Sequence, residues 1–238
     1  MTGPARVIVT DPPRAAAADV DALAGFGVAT VHEAMGRTGL LGPDLRPIQD
    51  GARIAGTAVT VLCWPGDNLM IHASVEQCQP GDVLVVTTTS ASADGLFGEL
   101  FATALQQRGV RGLIINAGVR DVAELRAMGF PAWSAAVSAQ GAVKATAGAV
   151  NVPITIGGQV IRPGDAVLAD DDGVVCVPRE VVPDAIRASQ AREDKEAAAR
   201  QAFREGELGL DRYGLRKVLA ELGVQYMTAE EYASRDRS

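Results

Sequence analysis

The sequence is poor in the side chains that build soft-metal sites and disulfide frameworks. Its 238 residues include only three cysteines and two histidines. The cysteines are odd in number and have no C-x-x-C spacing, which argues against disulfides and against a thiolate zinc site. A metal site in this chain would therefore have to use carboxylates and water, which are the ligands of a hard cation.

Positive charge and long apolar runs are also scarce. Lys and Arg total 22 against 29 Asp and Glu, which gives a formal net charge of −7. Such a chain is a poor candidate for binding the phosphates of nucleic acids or an anionic membrane surface. No apolar run reaches the roughly 18 residues of a membrane span, and the N-terminal MTGPARVIVTDPPR lacks a secretion pattern. We therefore expect a cytoplasmic protein with no nucleic-acid or membrane partner.

The apolar content of 47% excludes disorder of the whole chain. Between 152 and 178, Gly-Gly, Pro-Gly-Asp and Asp-Asp-Asp-Gly turns separate short β runs, which is typical of hairpins. We predict one α/β domain over 1–238, with a core at about 7–178 and C-terminal helices at about 179–227. Periodicity predicts helices over 17–25, 28–36, 68–77, 97–108, 122–128, 180–205 and 215–222, and strands over 53–64, 83–89 and 112–116.

The strongest local feature is the segment 98–121, GELFATALQQRGVRGLIINAGVRD. A glycine-bearing loop opens its helix, so the N–H groups at Gly98–Leu100 point outward and suit a carboxylate or a phosphate. Arg120 and Asp121 follow the buried strand, whose carboxyl end is where α/β sheets bind ligands. Asp121 can bind a divalent cation and Arg120 an anionic oxygen. The alternative is a surface ion pair or a helix cap.

The run GELFATALQQRGVRGLIINAGVRDVAELRAMGFPAWS resembles the class II pyruvate aldolases that cleave 4-hydroxy-4-methyl-2-oxoglutarate and 4-carboxy-4-hydroxy-2-oxoadipate. These enzymes share the RraA-like fold with regulators of ribonuclease activity. The resemblance implies a swivelling β/β/α domain, Mg²⁺ or Mn²⁺, a small 2-oxo acid substrate and a homotrimer or homohexamer. It covers roughly residues 7–227, and further matching stretches occur in the same order at 27–41, 67–86, 139–154, 169–178 and 206–219.

The resemblance also implies roles for individual residues. Asp121 would be the direct metal ligand, with water and substrate at most other positions. Arg120 would contact the 2-keto oxygen of pyruvate and stabilise the enolate. Glu99, where the family often has Asp, would hold metal-bound water and help proton transfer. The N–H groups of Gly98, Glu99 and Leu100 would bind the pyruvyl carboxylate.

Two further residues match site positions of the family. Lys144 matches a site lysine, and Glu196 matches an acidic residue that a neighbouring subunit donates to the metal through water. Without the resemblance, Lys144 reads equally well as a surface residue, and the charges around Glu196 read as a solvated helix face. Asn116 stands where many members have Asp, and Glu99 is one methylene longer than Asp. We expect both departures to affect substrate preference and rate rather than reaction class.

The remaining polar features are expected to be structural. His32 and His72 are predicted to pack rather than to catalyse, although both are tempting as bases. The segment 170–173, Asp-Asp-Asp-Gly, lacks the distal Glu of a calcium loop and is predicted to be a hairpin turn. The cysteines are expected to be buried thiols.

The function that the resemblance implies is a divalent-metal-dependent lyase. It would release pyruvate, plus pyruvate or oxaloacetate, by retro-aldol cleavage, with oxaloacetate decarboxylation as a side activity. Two alternatives stay open: a non-catalytic binding protein of the same fold that regulates a ribonuclease, and a dedicated oxaloacetate decarboxylase.

Overall fold

The computed structural model describes residues 6–235, and their main feature is a large mixed sheet with helices packed on it. The strands are β1 (Val7–Ile8), β2 (Arg46–Pro47), β3 (Ile54–Cys63), β4 (Asp82–Thr88), β5 (Gly95–Phe97), β6 (Gly112–Val119), β7 (Ala132–Val137), β8 (Ala149–Val150), β9 (Ile154–Ile156), β10 (Gln159–Ile161), β11 (Ala166–Asp170) and β12 (Gly173–Val177). The helices are α1 (Ala17–Leu23), α2 (Val28–Ala34), α3 (Leu69–Val75), α4 (Glu99–Gln107), α5 (Val122–Ala127), α6 (Val182–Arg204), α7 (Gly209–Arg212), α8 (Leu215–Glu221) and α9 (Ala229–Arg235). The predicted α/β fold class is confirmed.

Four parallel strands form the centre of the sheet, in the order β3, β4, β6, β7. β3, β4 and β6 are rich in Val, Ile and Leu and are buried almost throughout, as is usual when helices or other strands cover both faces of a parallel sheet. β5 pairs in parallel with the end of β6, and β11 and β8 pair antiparallel with β3. The carboxyl ends of the parallel strands therefore lie along one edge.

Alternate residues of the central strands serve two cores. Leu84 and Ile115 face the layer of α3, α4 and α5, where Phe97 stacks at 5.5 Å on Phe101 and at 5.9 Å on Phe130. Val85 and Ile114 face the hairpin strands on the opposite side. This period of two is what a sheet covered on both faces requires. A third cluster joins α1 and α2 to β11 and β12.

Two of the three predicted turns join the strands of a hairpin, whereas Pro163-Gly164-Asp165 links β10 to β11, which do not pair. β9 and β10 are joined through Gly157 and Gly158, which both have positive φ. β11 and β12 pair up to Asp170 and Gly173, so the acidic triplet forms a turn. Its carboxylates bind backbone N–H groups: Asp170 Oδ2 accepts from Val28 and Asp171 Oδ1 from Gly51.

Several boundaries differ from the sequence predictions. The helix predicted from residue 97 begins at Glu99, because Leu96 and Phe97 belong to β5 and are buried beside β6. The strand predicted over 112–116 continues to Val119. β7 and the short strands β1, β2, β5 and β8 were not predicted, since their pairing partners are distant in sequence.

The described residues divide into two compact units, with the division after Arg192. The first contains the sheet and the cavity described below. The second begins within α6 and includes α7, α8 and α9, and in it Phe203 packs edge-on against Tyr213 at 6.1 Å. The predicted core and C-terminal bounds stay a prediction. Within residues 6–235, no helix is both long and apolar enough to cross a membrane.

Candidate active site

A cavity of about 330 Å³ opens where β5 and β6 end. The Arg120 N–H donates to the carbonyl of Phe97 at 2.9 Å, which holds the end of β6 beside the start of α4. The cavity wall includes five of the residues predicted from the sequence, namely Gly98, Leu100, Arg120, Asp121 and Lys144. Its place at the carboxyl ends of parallel strands is the usual ligand position of such sheets.

Arg120 and Asp121 form the charged centre of this cavity. Arg120 Nε lies 3.7 Å from Asp121 Oδ2, and the two side chains keep 46% and 40% of their exposure. Asp121 has φ of 55°, a left-handed conformation that Asp tolerates better than most residues. It precedes α5 but makes no side-chain bond to that helix. Instead its Oδ2 accepts the Glu99 N–H at 3.2 Å, the first N–H of α4, so the carboxylate caps the start of α4 and not that of α5.

Gly98 is required by the close approach of the Asp121 carboxylate. Its φ of −157° is ordinary extended backbone, so the requirement is steric rather than conformational. A Cβ at this position would collide with Asp121 Oδ2 and lie 3.1 Å from Arg120 Cγ. The carbonyl of Gly98 accepts the N–H groups of Phe101 and Ala102, both at 3.2 Å, as α4 begins.

Glu99 is turned along its own helix. Its Oε1 accepts the Thr103 hydroxyl at 2.8 Å, and the residue is not part of the cavity wall. Its N–H is bonded to Asp121 rather than left open for a substrate carboxylate. The backbone of Glu99 thus belongs to the site, whereas its carboxylate is directed elsewhere in this conformation.

Lys144 reaches the cavity from a loop that Asp67 anchors. Asp67 Oδ2 accepts the N–H groups of Ala145 at 2.8 Å and Thr146 at 2.7 Å, and its Oδ1 accepts that of Leu69 at 2.9 Å. Burial raises the pKa of Asp67, but these backbone bonds outweigh it, so the pKa lies below its ordinary value. Lys144 itself is exposed.

α3 contributes two polar side chains to the cavity that were not predicted from the sequence. Asn68, which immediately precedes α3, and His72, one turn later, both line it. The His72 ring lies 4.4 Å from the Phe101 ring, centre to centre. Burial lowers the pKa of His72, and the charge of Lys144 lowers it further. Asn68 and His72 are four residues apart and follow the buried strand β3, and this spacing was the sequence signal that could have placed both at the edge of the sheet. His32 is not in the cavity wall; its Nδ1 lies 3.0 Å from the Thr38 carbonyl.

Glu196 and Asn116, which the resemblance singled out, are not among the residues of the cavity wall. Glu196 belongs to the C-terminal unit, where its carboxylate pairs with Arg200 at 3.9 Å on α6. Asn116 lies within β6, where its amide donates to Thr87 Oγ1 at 3.5 Å, and it is not in the cavity wall. The predicted role of Glu196 at a neighbouring subunit's metal stays a prediction.

The donor set of the cavity fits a hard cation. Among residues 6–235 there is no group of three or more His, Cys, Asp and Glu side chains arranged to hold a metal. Asp121 supplies one carboxylate to the cavity wall. A single carboxylate, with water and substrate oxygens at the other positions, is a common way to bind Mg²⁺. The thiols of Cys63, Cys78 and Cys176 are buried, as predicted, and take no part.

Relatives with aldolase names match most of this chain. A protein from Burkholderia multivorans named "Putative 4-hydroxy-4-methyl-2-oxoglutarate aldolase" is 36% identical over 142 residues, 60% of this chain and 86% of the relative. A protein of the same name from Halalkalibacterium halodurans is 25% identical over 169 residues, 71% of this chain and 80% of the relative.

Solved structures share the fold. An uncharacterized protein from Pseudomonas syringae pv. tomato superposes with a TM-score of 0.75 at 25% identity, covering 84% of this chain and 96% of that one. RraAS2 of Streptomyces coelicolor, described as an unusual member of the RNase ES inhibitor RraA family, gives 0.73 at 28% identity, covering 80% and 99%. The family model for RraA-like proteins, described as Aldolase/RraA, matches residues 28–176, and the chain belongs to this family.

Proposed function

We propose that the protein is a divalent-metal-dependent lyase that cleaves 4-hydroxy-4-methyl-2-oxoglutarate or 4-carboxy-4-hydroxy-2-oxoadipate to pyruvate plus pyruvate or oxaloacetate. The observation that carries the proposal is the cavity in which Arg120, Asp121 and Lys144 converge at the end of β6. The aldolase names of the relatives from Burkholderia and Halalkalibacterium support the reaction class.

Asp121 would hold the Mg²⁺ or Mn²⁺ ion. Its Oδ2 is already engaged by the Glu99 N–H, which orients the carboxylate toward the loop before α4. A bound cation would act as a Lewis acid on the 2-oxo acid. Glu99 would act on metal-bound water, and it would have to leave Thr103 to do so.

Arg120 would stabilise the negative charge that develops during cleavage. When the C3–C4 bond breaks, its electron pair forms an enolate whose oxygen was the 2-oxo oxygen. A guanidinium fixed beside that oxygen stabilises the transition state more than the ground state. The N–H groups at Gly98 and Leu100 would take the C1 carboxylate. Lys144 would attract the second carboxylate, against the net charge of −7 of the whole chain.

The same enolate arises when oxaloacetate loses CO₂, so we propose oxaloacetate decarboxylation as a side activity. If this reaction had the highest kcat/KM of the three, the protein would instead be a dedicated decarboxylase. We also propose a cytoplasmic homotrimer or homohexamer in which Glu196 of a neighbouring subunit reaches the metal through water.

The likeness to Streptomyces coelicolor RraAS2 favours a second candidate function, a non-catalytic regulator that binds a ribonuclease. The two candidates differ in one measurable property, because a regulator needs no turnover. A protein that retains a purified ribonuclease E-type enzyme in a pull-down, inhibits it and releases no pyruvate would be a regulator.

The decisive experiment measures pyruvate release with lactate dehydrogenase in the presence of Mg²⁺ or Mn²⁺. We expect the wild type to release pyruvate from the aldol substrates, and Asp121→Ala to lose at least about 100-fold in kcat because the cation loses its protein ligand. Asp44→Asn is the control, since Asp44 is exposed and lies outside the cavity wall. Absence of pyruvate release from both aldol substrates would refute the proposal, and release from oxaloacetate alone would indicate a dedicated decarboxylase.

A further inference from the structure

His72 is the titratable side chain of the cavity wall to which the proposed function gives no role. It shares the cavity with Arg120 and Asp121, and α3 carries it there one turn after Asn68. The Phe101 ring packs against it at 4.4 Å with a tilt of 53°, which restricts how the imidazole can turn. A ring held in this way keeps its nitrogens in a fixed relation to a ligand in the cavity.

Within residues 6–235, the ring nitrogens of His72 have no hydrogen-bond partner. The residue is exposed, so these nitrogens are accessible from solvent. The other histidine differs in this respect, because His32 Nδ1 is bonded to the Thr38 carbonyl. A histidine whose nitrogens are engaged by the backbone is a structural residue. One whose nitrogens are open at the wall of a cavity can exchange a proton with a ligand.

The surroundings favour the neutral imidazole, which is the form that accepts a proton. Burial and the ammonium of Lys144 both lower the pKa of His72 from its ordinary 6.5. The other charged groups on neighbouring elements are either cationic or already engaged. These groups are Arg120 and Asp121 after β6, Asp67 before α3, Glu76 at the C-terminal end of α3, Glu99 on α4 and Arg108 after α4.

We propose that His72 is a catalytic residue that accepts the proton of the C4 hydroxyl during retro-aldol cleavage. This inference rests on the proposed function and adds the identity of its base. As the imidazole nitrogen takes the proton, the C4–O electrons form a carbonyl and the C3–C4 bond breaks. Its electron pair becomes the enolate of pyruvate beside Arg120. The imidazolium then releases its proton to water, and a proton from water reaches C3 to form the methyl group.

Oxaloacetate decarboxylation distinguishes a catalytic role of His72 from a structural one. Its decarboxylation forms the same pyruvate enolate, but it has no C4 hydroxyl proton to remove. The reaction therefore needs Arg120 and Asp121 without needing a base at His72. A defect in the base lowers aldol cleavage alone, whereas a defect in cavity shape lowers both reactions.

The test compares His72→Asn with His32→Asn, a matched change of the only other histidine. We expect His72→Asn to lose about 100-fold in kcat for aldol cleavage, as is usual for a missing general base, and to keep oxaloacetate decarboxylation close to the wild-type rate. His32→Asn is expected to keep both. Equal losses in the two reactions, or no loss in either, would overturn the role of His72.

The wild type provides a second measurement that does not depend on the variant folding. Protonated His72 cannot accept the hydroxyl proton, so kcat/KM for aldol cleavage should fall as the pH drops through the His72 pKa, below 6.5. Oxaloacetate decarboxylation should lack this acidic limb. An acidic limb common to both reactions would contradict the inference. A wild type without any aldol cleavage would instead refute the proposed function, and with it the base.

Discussion

Gly98 tests the geometry of the site at the scale of one residue. In Gly98→Ala the new methyl group would collide with the Asp121 carboxylate and crowd Arg120. Because overpacking at a constrained position costs about 1–3 kcal/mol, we expect the Asp121 side chain to move and metal-dependent kcat to fall at least about 10-fold. Steady-state kinetics at saturating Mn²⁺, with a metal titration, measures this loss.

The control for this substitution is Gly209→Ala. Its added Cβ would meet nothing closer than 3.9 Å, and Gly209 lies outside the cavity wall. We expect wild-type kinetics from it. If Gly98→Ala keeps full activity and metal affinity, the close approach of Asp121 to residue 98 is not needed for the reaction.

The positions of residues that depend on local chain order were predictable from the sequence. Arg120 and Asp121 follow a buried strand directly, so their place at its carboxyl end was predictable. The place of His72 in the cavity wall was not predicted, because the sequence of a short helix does not show which elements face it. The bond of the Glu99 carboxylate to Thr103 was not predictable either, since it depends on rotamer choice, and the proposed role of Glu99 stays a prediction.

At the scale of elements, Asp67 ties the start of α3 to the loop that carries Lys144. The two carboxylate oxygens of Asp67 accept three backbone N–H groups. In Asp67→Asn only one side-chain oxygen remains to accept them. Bonds to a charged acceptor are worth about 1.5–3 kcal/mol, so we expect a loss of about that size in unfolding free energy at pH 7. The looser Lys144 loop should raise KM for the dicarboxylic substrate more than it lowers kcat.

The pH dependence of stability gives the check on this element. The pKa of Asp67 is lower in the folded protein than its ordinary 3.8, so its stabilisation is present above that value and is lost as the pH falls through the folded pKa. In urea unfolding, the free energy of unfolding should therefore be lower for Asp67→Asn than for the wild type at pH 7, and this difference should narrow below pH 3.8. A difference in unfolding free energy that does not change with pH would contradict the role of the charge. The control Asp44→Asn should unfold with the same free energy as the wild type.

The elements that were predicted have apolar patterns within their own sequence, whereas the strands that were missed depend on partners distant in sequence. The helices α1 to α5 and the strands β3, β4 and β6 have continuous apolar patterns of their own. β5 has only three residues and exists because it pairs with β6 across more than a dozen intervening residues. β7 follows a Gly-Phe-Pro turn and is defined by pairing with β6 on one side and β2 on the other. Non-local pairing of this kind leaves little mark on a short sequence window.

At the scale of the whole molecule, the net charge of the chain is negative, whereas two of the three charged side chains of the cavity wall other than His72 are cationic. The chain carries −7 overall, yet the cavity gathers Arg120 and Lys144 around one carboxylate, Asp121. The three cysteines that composition counted are buried away from solvent, whereas His72 lines the cavity, and composition said nothing about a polyanionic substrate. The family was predictable because matching segments run along most of the chain, whereas the subunit arrangement depends on surfaces that only the fold reveals.

The C-terminal unit presents such a surface on α8 and the residue after it. Leu215, Val218 and Leu222 recur at i, i+3 and i+7 on one side of the helix and are 40%, 44% and 74% exposed in the single chain. An apolar stripe of this kind is usually covered by a partner. We expect it to contribute to the proposed homotrimer or homohexamer, so that Leu222→Glu shifts the mass measured by light scattering toward the monomer.

The comparison variant is Lys217→Glu, which places the same charge on α8 away from the stripe, at an exposed residue. It should leave the mass unchanged, because a charge on a solvated face costs an interface nothing. If Glu196 also reaches the metal of a neighbouring subunit, Leu222→Glu should lose aldol cleavage together with assembly, and activity should recover as protein concentration rises. A Leu222→Glu protein with unchanged mass would exclude α8 from the subunit interface.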